Sequence, residues 1–265
     1  MLKNRVAIVS GVGAGMGRDI SLALARAGAD LVLAARSKEK LLQVKAEVEA
    51  IGRRALSVVT DISSMADCNR LVDRASDEFG RIDILINNAF SIGDMQPFEQ
   101  TDIDTVWRQV LDVNLLGYMR LSQVVVPHMK AQGGGAIVMV NSVSMCEYYK
   151  HKPPVISYAS SKAGLQSAAL YMAGELGKYN IRVNTVRPGY IDGEALRLHL
   201  KIKAEEQGVS LEAIRERIIQ EELALPFLPD SEDVAETVLF FASDQSRAVT
   251  GATLDVNCGE RIAMQ

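Results

Sequence analysis

The sequence predicts an α/β fold: one doubly wound parallel sheet of about seven strands with helices on both faces. Short apolar runs recur along the chain, stretches with helical periodicity separate them, and a glycine-rich turn joins the first run to the first helix. No composition break or repeat divides residues 1–265, so a single domain is expected. The predicted strands lie near residues 5–10, 30–35, 55–60, 82–87, 136–141, 181–186 and 252–256.

The first strand leads into the turn Gly11-Val-Gly-Ala-Gly-Met-Gly17, and an apolar-periodic helix follows over about residues 18–27. A glycine turn alone can be purely structural, but this order of elements is typical of a dinucleotide-binding unit. Glycines let the backbone approach a pyrophosphate, which then lies at the positive end of the helix. The predicted cofactor contacts here are Gly11, Gly15, Met16 and Gly17.

The second strand ends at Ala35 and Arg36 follows, at a point where an acidic residue would select NAD by binding the ribose hydroxyls. With no carboxylate to repel it, a 2′-phosphate can pair with the Arg36 guanidinium. NADP(H) is therefore the predicted cofactor. NAD(H) is the alternative, in which Arg36 only begins the next helix and stacks on adenine.

Tyr158 and Lys162 lie four residues apart on a predicted helix and so share one face. Free tyrosine has a pKa of about 10 and is a poor base at neutral pH. A neighbouring ammonium favours the phenolate, so Lys162 is expected to lower the pKa of Tyr158. The pair alone proves little, because this spacing also arises by chance.

Further motifs follow the predicted strands in order. They are Thr60-Asp61-Ile62, Asn87-Asn88-Ala89, Asp112-Val-Asn114, Asn141-Ser142 and Arg187-Pro188-Gly189-Tyr-Ile191. With the glycine turn and the Tyr158–Lys162 pair, they resemble the short-chain dehydrogenase/reductase family over nearly all 265 residues. The resemblance implies a Rossmann-like sheet and hydride transfer between a nicotinamide cofactor and a secondary alcohol or ketone.

The resemblance also implies site roles. Tyr158 exchanges the proton, Ser142 hydrogen-bonds the substrate oxygen, Lys162 holds the nicotinamide ribose, and Asn114 positions a proton-relay water. Ser144 is the alternative serine, because its distance from Tyr158 is closer to the usual family spacing, but it lies two residues past the strand's apolar run. The implied cofactor contacts beyond the glycine turn and Arg36 are Asp61, Ile62, Asn88, Ala89, Tyr158, Lys162, Pro188, Gly189 and Ile191.

The chain departs from the family pattern in four places. Phe90 replaces a usual glycine, Gly193 replaces a common threonine, and Asp255-Val-Asn257-Cys-Gly replaces Asp-Gly-Gly. Residues 143–157 form a stretch a few residues longer than usual, in which His151 is interpreted as a surface residue rather than a substrate contact. These departures suggest an unusually shaped substrate pocket.

Residues 193–228 are predicted to form a substrate lid for a mainly apolar alcohol or ketone. The apolar pattern in this segment fits either a lid underside or packing against the domain or a second subunit. It comprises Leu196, Leu198, Leu200, Leu211, Ile214, Ile218 and Ile219, and further pocket candidates are Phe90, Tyr148 and Tyr149.

The helix carrying Tyr158 continues with more small and apolar residues than packing on one sheet requires, among them Ala163, Leu165, Ala168, Ala169, Tyr171 and Met172. In the resembled family this helix often builds a dimer interface within a tetramer, so a homo-oligomer is expected, either a dimer or a tetramer.

Composition favours an ordinary globular protein in the cytoplasm. A net charge of −4 with interspersed charges does not favour nucleic-acid binding, and no apolar run approaches the ~20 residues that span a bilayer. The three scattered cysteines and three histidines lack metal-ligand spacing, so no metal site is predicted.

Two other functions compete with the oxidoreductase. A dinucleotide-sensing or scaffolding protein on the same fold would not need the full set of Asn114, Ser142, Tyr158 and Lys162. A sugar-nucleotide epimerase or dehydratase would need a larger C-terminal substrate domain than the residues after Gly189 provide.

Overall fold

The computed structural model describes residues 1–146, 148, 154–260 and 262, apart from the side chain of Ala195. The described residues contain seven strands: β1 (Val6–Ser10), β2 (Asp30–Ala35), β3 (Ala55–Val59), β4 (Ile84–Asn87), β5 (Gly135–Val140), β6 (Ile181–Pro188) and β7 (Thr253–Val256). They form one parallel sheet in the order β3-β2-β1-β4-β5-β6-β7, which confirms the predicted fold class.

Helices connect the strands. They are α1 (Met16–Arg26), α2 (Lys38–Ala50), α3 (Met65–Phe79), α4 (Arg108–Leu111), α5 (Tyr118–Ala131), α6 (Ile156–Leu176), α7 (Glu194–Gln207), α8 (Leu211–Glu222) and α9 (Ser231–Ala242). The α4 helix lies between two π-helical turns, Ile103–Trp107 and Asp112–Gly117. The first helix begins at Met16, two residues earlier than the apolar periodicity indicated, because Gly15 already serves as its N-cap.

Strand β1 lies inside the sheet, with β2 on one side and β4 on the other. Ala7 of β1 pairs with Leu31 of β2 on one side and with Ile84 of β4 on the other. The loops that follow β1 and β4 therefore diverge at the point where the strand order reverses. In open α/β sheets, this crevice at the carboxyl ends of the strands is where ligands bind.

Both faces of the sheet are covered, because successive side chains of each strand point to opposite faces. Ala7 and Val9 pack with α1, α2 and α9, whereas Val6 and Ile8 pack with α3, α5 and α6. Burial of both faces explains the continuous apolar runs in the sequence and holds the strand ends in fixed positions around the crevice.

The predicted lid segment contains α7 and α8, which pack on each other. Leu200, Ile214, Ile218 and Leu228 are buried in a small apolar cluster of their own. Of the two interpretations of the apolar pattern, packing within the fold therefore accounts for these residues, while Leu198 is 61% exposed. Leu196 is the member of the pattern that lines the catalytic part of the cleft.

Candidate active site

A cleft follows the carboxyl ends of the strands and has two connected compartments of about 550 Å³ each. We call the part beside the ends of β2 and β3 the adenosine compartment and the part beside the ends of β5 and β6 the catalytic compartment, after the roles predicted for the residues that line them. Residues lining both are Gly11, Gly13, Lys40, Asn88 and Phe90. A dinucleotide-sized ligand can therefore extend from one compartment to the other.

The glycine turn forms the floor between the compartments. A Cβ on Gly11, whose φ is +78°, would lie 2.4 Å from the Ala89 Cα, and a Cβ on Gly17 would lie 2.3 Å from the Gly11 carbonyl oxygen. Packing thus requires glycine at both positions. At Gly13 a Cβ would meet nothing within 4 Å, and its φ is not positive, so the open space beside it is free for a ligand.

The start of α1 faces the same space. Gly15 is its N-cap and provides no side chain to accept the first helical N–H groups. Free N–H groups and the positive end of the helix dipole favour an anion such as a pyrophosphate. The Asn88 side chain holds this turn in place, since its Nδ2 donates to the Gly11 carbonyl at 2.9 Å.

The adenosine compartment contains the predicted residues Arg36, Asp61, Ile62 and Ala89. It also contains Lys40, which the sequence-based reasoning missed. Lys40 lies four residues after Arg36 in the first turn of α2, and both side chains are exposed. Its position in the basic run that directly follows β2 was the available signal.

Ser142, Tyr158 and Lys162 line the catalytic compartment. Ser142 follows β5, and its side chain hydrogen-bonds Tyr158. Ser144 lies in the 3-10 turn that follows, donates its backbone N–H to the Ser142 Oγ at 3.2 Å, and is not among the lining residues. The geometry therefore favours Ser142 over Ser144 as the serine that meets a ligand.

Burial dominates the protonation of the pair on α6. It raises the pKa of Tyr158 to about 12, although the hydrogen bond to Ser142 works in the opposite direction. Burial also lowers the pKa of Lys162 to about 7. The expectation that Lys162 lowers the pKa of Tyr158 stays a prediction, because the shifts in this structure arise from the burial of each group and from the hydrogen bond to Ser142.

The Lys162 amine points beneath the cleft toward the end of β5. Its Nζ donates to the Val140 carbonyl at 2.8 Å and lies 5.7 Å from the centroid of the Tyr158 ring. Nearly complete burial of this cation is compatible with folding because a carbonyl accepts from it.

Asn114 lies in the π-helical turn before α5, and both its amide oxygen and its amide nitrogen form hydrogen bonds within the protein. Its Oδ1 accepts from the Ser91 N–H at 2.7 Å, while Nδ2 donates to the Ser91 carbonyl at 2.8 Å and to the Ser161 Oγ at 2.9 Å. Asn114 does not line either compartment. The side chain thus ties the loop after β4 to α6, and the role of Asn114 in positioning a water stays a prediction.

The loop after β6 closes the catalytic compartment with Pro188, Gly189 and Ile191. It is anchored by a bidentate pair in which the Arg187 guanidinium donates to the two Asp255 carboxylate oxygens at 2.6 and 2.8 Å. Residues 255–259 depart from the family pattern but keep the Asp255 carboxylate, which is paired with Arg187.

The family pattern described as short chain dehydrogenase matches residues 5–201. The chain belongs to the short-chain dehydrogenase family. It is 32% identical over 258 residues to the 7alpha-hydroxysteroid dehydrogenase of Escherichia coli (strain K12), covering 97% of this chain and 94% of that protein. Among solved structures, carveol dehydrogenase from Mycobacterium avium in complex with NAD has a TM-score of 0.90, 29% identity, and coverage of 98% of both chains.

A second solved relative is the L-sorbose reductase from Gluconobacter frateurii complexed with NADPH and L-sorbose, with a TM-score of 0.90, 26% identity, and coverage of 98% of this chain and 97% of that one. Membership of the family makes this short-chain dehydrogenase an oxidoreductase acting on CH–OH or C=O groups.

Two departures of this short-chain dehydrogenase from the family pattern lie in the cleft. The Phe90 ring is 61% exposed, and Gly193 lines the catalytic compartment as the N-cap of α7. His151, Tyr149 and the rest of residues 149–153 lie outside the described residues, and Tyr148 is exposed.

Two further findings concern other kinds of site. Over residues 1–146, 148, 154–260 and 262, no three His, Cys, Asp or Glu side chains are grouped to hold a metal ion. Within the same part of the chain, no helix has the length and apolarity to cross a bilayer.

Proposed function

We propose that this short-chain dehydrogenase interconverts a secondary alcohol and a ketone with NADP(H), using Tyr158 as the acid and base. The observation that carries the proposal is the convergence of Ser142, Tyr158 and Lys162 on one compartment that continues into the glycine-turn cleft. When bound, the nicotinamide dinucleotide donates or accepts the hydride at the substrate carbon.

Tyr158 supplies the proton in the reducing direction. With its pKa raised by burial, the phenol is fully protonated at neutral pH and can donate to a developing alkoxide. Ser142, already hydrogen-bonded to Tyr158, is placed to donate to the same substrate oxygen and stabilise its charge. The oxidising direction needs the phenolate, which a protonated Lys162 would stabilise.

The cofactor proposal rests on the cations of the adenosine compartment. Arg36 and Lys40 line it, and neither Ala35 nor Arg36 provides the carboxylate that would repel a 2′-phosphate. Solved relatives include complexes with NAD as well as with NADPH, so the family alone does not choose. The two cations favour NADP(H).

The substrate proposal is a mainly apolar alcohol or ketone. Phe90, Leu196 and Ile191 line the catalytic compartment and present apolar surface beside Tyr158. Relatives are named for a hydroxysteroid and for carveol, and another is complexed with L-sorbose, so the proposal rests on the lining residues rather than on the relatives.

A homo-oligomer, either a dimer or a tetramer, is also proposed. Leu170 and Tyr171 on α6 are 50% and 73% exposed, and Leu116 in the neighbouring π-helical turn is 46% exposed. Exposed large apolar side chains on adjacent elements are typical of an interface. Sedimentation giving a monomer would remove this proposal.

A cytoplasmic location is proposed because Cys68, Cys146 and Cys258 are all free thiols, as is usual in a reducing compartment.

The test is a hydride-transfer assay with NADPH and NADH over a panel of ketones and alcohols. Tyr158→Phe should lower turnover by about 10²-fold or more and leave dinucleotide binding intact, because the ring remains and only the hydroxyl that exchanges the proton is lost. Near-normal turnover in this variant would overturn the proposed mechanism. Tight dinucleotide binding without turnover on any substrate would instead favour a sensor.

A further inference from the structure

A second tyrosine lies next to the Lys162 amine. Tyr118, the first residue of α5, is completely buried, and its ring centroid lies 5.1 Å from the Lys162 Nζ. The Tyr118 hydroxyl donates to the Val140 carbonyl at 3.4 Å and accepts from the Lys162 Nζ at 3.5 Å. Lys162 also donates to Val140, so the amine, the carbonyl and the hydroxyl form one closed triangle.

The placement of Tyr118 follows from the π-helical turn before it. Tyr118 comes four residues after Asn114, and the two side chains meet consecutive residues of α6: Asn114 binds Ser161, and Tyr118 binds Lys162. A phenylalanine would fill the same volume, so packing alone does not explain a hydroxyl here. A buried hydroxyl is expected to hydrogen-bond, and this one bonds the groups around the amine.

We propose that Tyr118 is a positioning residue for Lys162, whose hydroxyl and ring hold the amine at the end of β5 under the cleft. The hydroxyl oxygen and the π-face both favour an ammonium over a neutral amine. Tyr118 therefore keeps the cationic form of Lys162 available for the dinucleotide ribose and for Tyr158. This role rests on the proposed function of Lys162. The contacts between Tyr118 and Lys162 are present whether or not that proposed function is correct.

Other ionisable groups near Lys162 are few among the described residues. Tyr158 lies on the same helix, and Lys40 and Glu194 also line the catalytic compartment. The β5 side contributes the Val140 carbonyl and Ser142 rather than a carboxylate. Burial lowers the pKa of Lys162 to about 7, so loss of one acceptor for its ammonium is measurable near neutral pH.

The experiment is an NMR titration of the intact protein labelled with ¹³Cε-lysine. The Lys162 signal is assigned by its loss in Lys162→Met. In Tyr118→Phe, which keeps the ring and its volume, the pKa of Lys162 should fall by about half a unit or more, because one hydrogen-bond acceptor is removed from the charged form. An unchanged pKa would overturn the proposal.

The matched control is Ser122→Ala. Ser122 is another buried hydroxyl on α5, one turn further on, and accepts from the Asn87 Nδ2 at 3.1 Å without touching Lys162. Its loss should lower the melting temperature but leave the pKa of Lys162 unchanged. An equal pKa shift in both variants would mean that Tyr118 acts only through general packing.

NADPH binding gives a second readout. If the ammonium is the binding form, a half-unit fall in pKa weakens NADPH binding by about threefold at pH 8 and hardly at all at pH 6. A weakening of equal size at both pH values would contradict the positioning role. The lysine titration needs neither turnover nor a dinucleotide, so its failure is distinct from failure of the proposed function, which the Tyr158→Phe assay tests.

Discussion

The Phe90 ring meets the Tyr158 ring edge-on, with the centroids 6.3 Å apart and the planes at 68°. Such aromatic pairs are mutually stabilising, and this one leaves most of the Phe90 ring exposed beside the reacting group. Under the proposed mechanism, an exposed phenyl at that position would present an apolar wall to the substrate, where the family pattern usually has glycine.

Phe90→Ala should therefore lower kcat/KM for bulky cyclic ketones about tenfold, and for small ketones much less, because the lost apolar contact grows with substrate size. Steady-state assays with a small and a bulky ketone measure the difference. Phe98→Ala is the matched control, since Phe98 is also 61% exposed but does not line the cleft. Equal losses for both substrates would show that Phe90 acts on the fold or cofactor instead.

The serine of the catalytic compartment can be assigned by paired substitutions. Ser142→Ala removes a side chain that hydrogen-bonds Tyr158 and lines the compartment, so turnover should fall by about 10²-fold. Ser144→Ala removes a hydroxyl outside the compartment and should change turnover less than threefold, within the usual range of neutral substitutions. The reverse order of effects, measured by kcat at saturating cofactor, would reassign the role to Ser144.

Cofactor preference should depend on the two cations of the adenosine compartment. Arg36→Ala and Lys40→Ala should each weaken NADPH binding about tenfold and leave NADH nearly unchanged, because a charge-assisted hydrogen bond to the 2′-phosphate is lost. Fluorescence titration measures both affinities. Lys38→Ala serves as control, since Lys38 is exposed on the same first turn of α2 but does not line the cleft. If the unsubstituted protein binds NADH more tightly than NADPH, the NADP(H) proposal is wrong.

Asp83 directly precedes β4, at the end of the sheet opposite the cleft, and should make the stability of the protein depend on pH. Burial alone would raise the pKa of this carboxyl, but hydrogen bonds from Arg81, the Val6 N–H and Arg5 outweigh it and lower the pKa. Because the folded pKa lies below the unfolded value of about 3.9, the stabilisation is complete well above pH 4 and is lost as the pH falls through the folded pKa.

Asp83→Asn should accordingly reduce the free energy of unfolding by about 2–3 kcal/mol at pH 7, since Arg81 loses its carboxylate and Arg5 keeps only its longer contact with Asp244. Urea denaturation should show the gap from wild type narrowing near pH 3. Asp73→Asn, at an exposed position on α3, should change stability little at either pH. A gap that stays constant with pH would mean that the effect comes from packing alone.

Much of this protein was predictable from local pattern. The apolar runs predicted all seven strands within two residues at either end, because strands buried on both faces consist of continuous apolar residues. The glycine turn and the strand-end motifs predicted a cleft, and each predicted cofactor position does line it. Motifs at the ends of parallel strands converge because those ends share one edge of the sheet.

Long-range packing determined the protonation and the hydrogen-bond partners of the site residues. Burial raises the pKa of Tyr158 and lowers the pKa of Lys162, and spacing along a helix does not reveal how deeply each side chain is buried. The contacts of Asn114 with Ser91 and of Tyr118 with Lys162 join residues 23 and 44 positions apart. Spacing along one helix indicates which side chains share a face, but only the packing of α5 against α6 and β5 determines which groups those side chains meet.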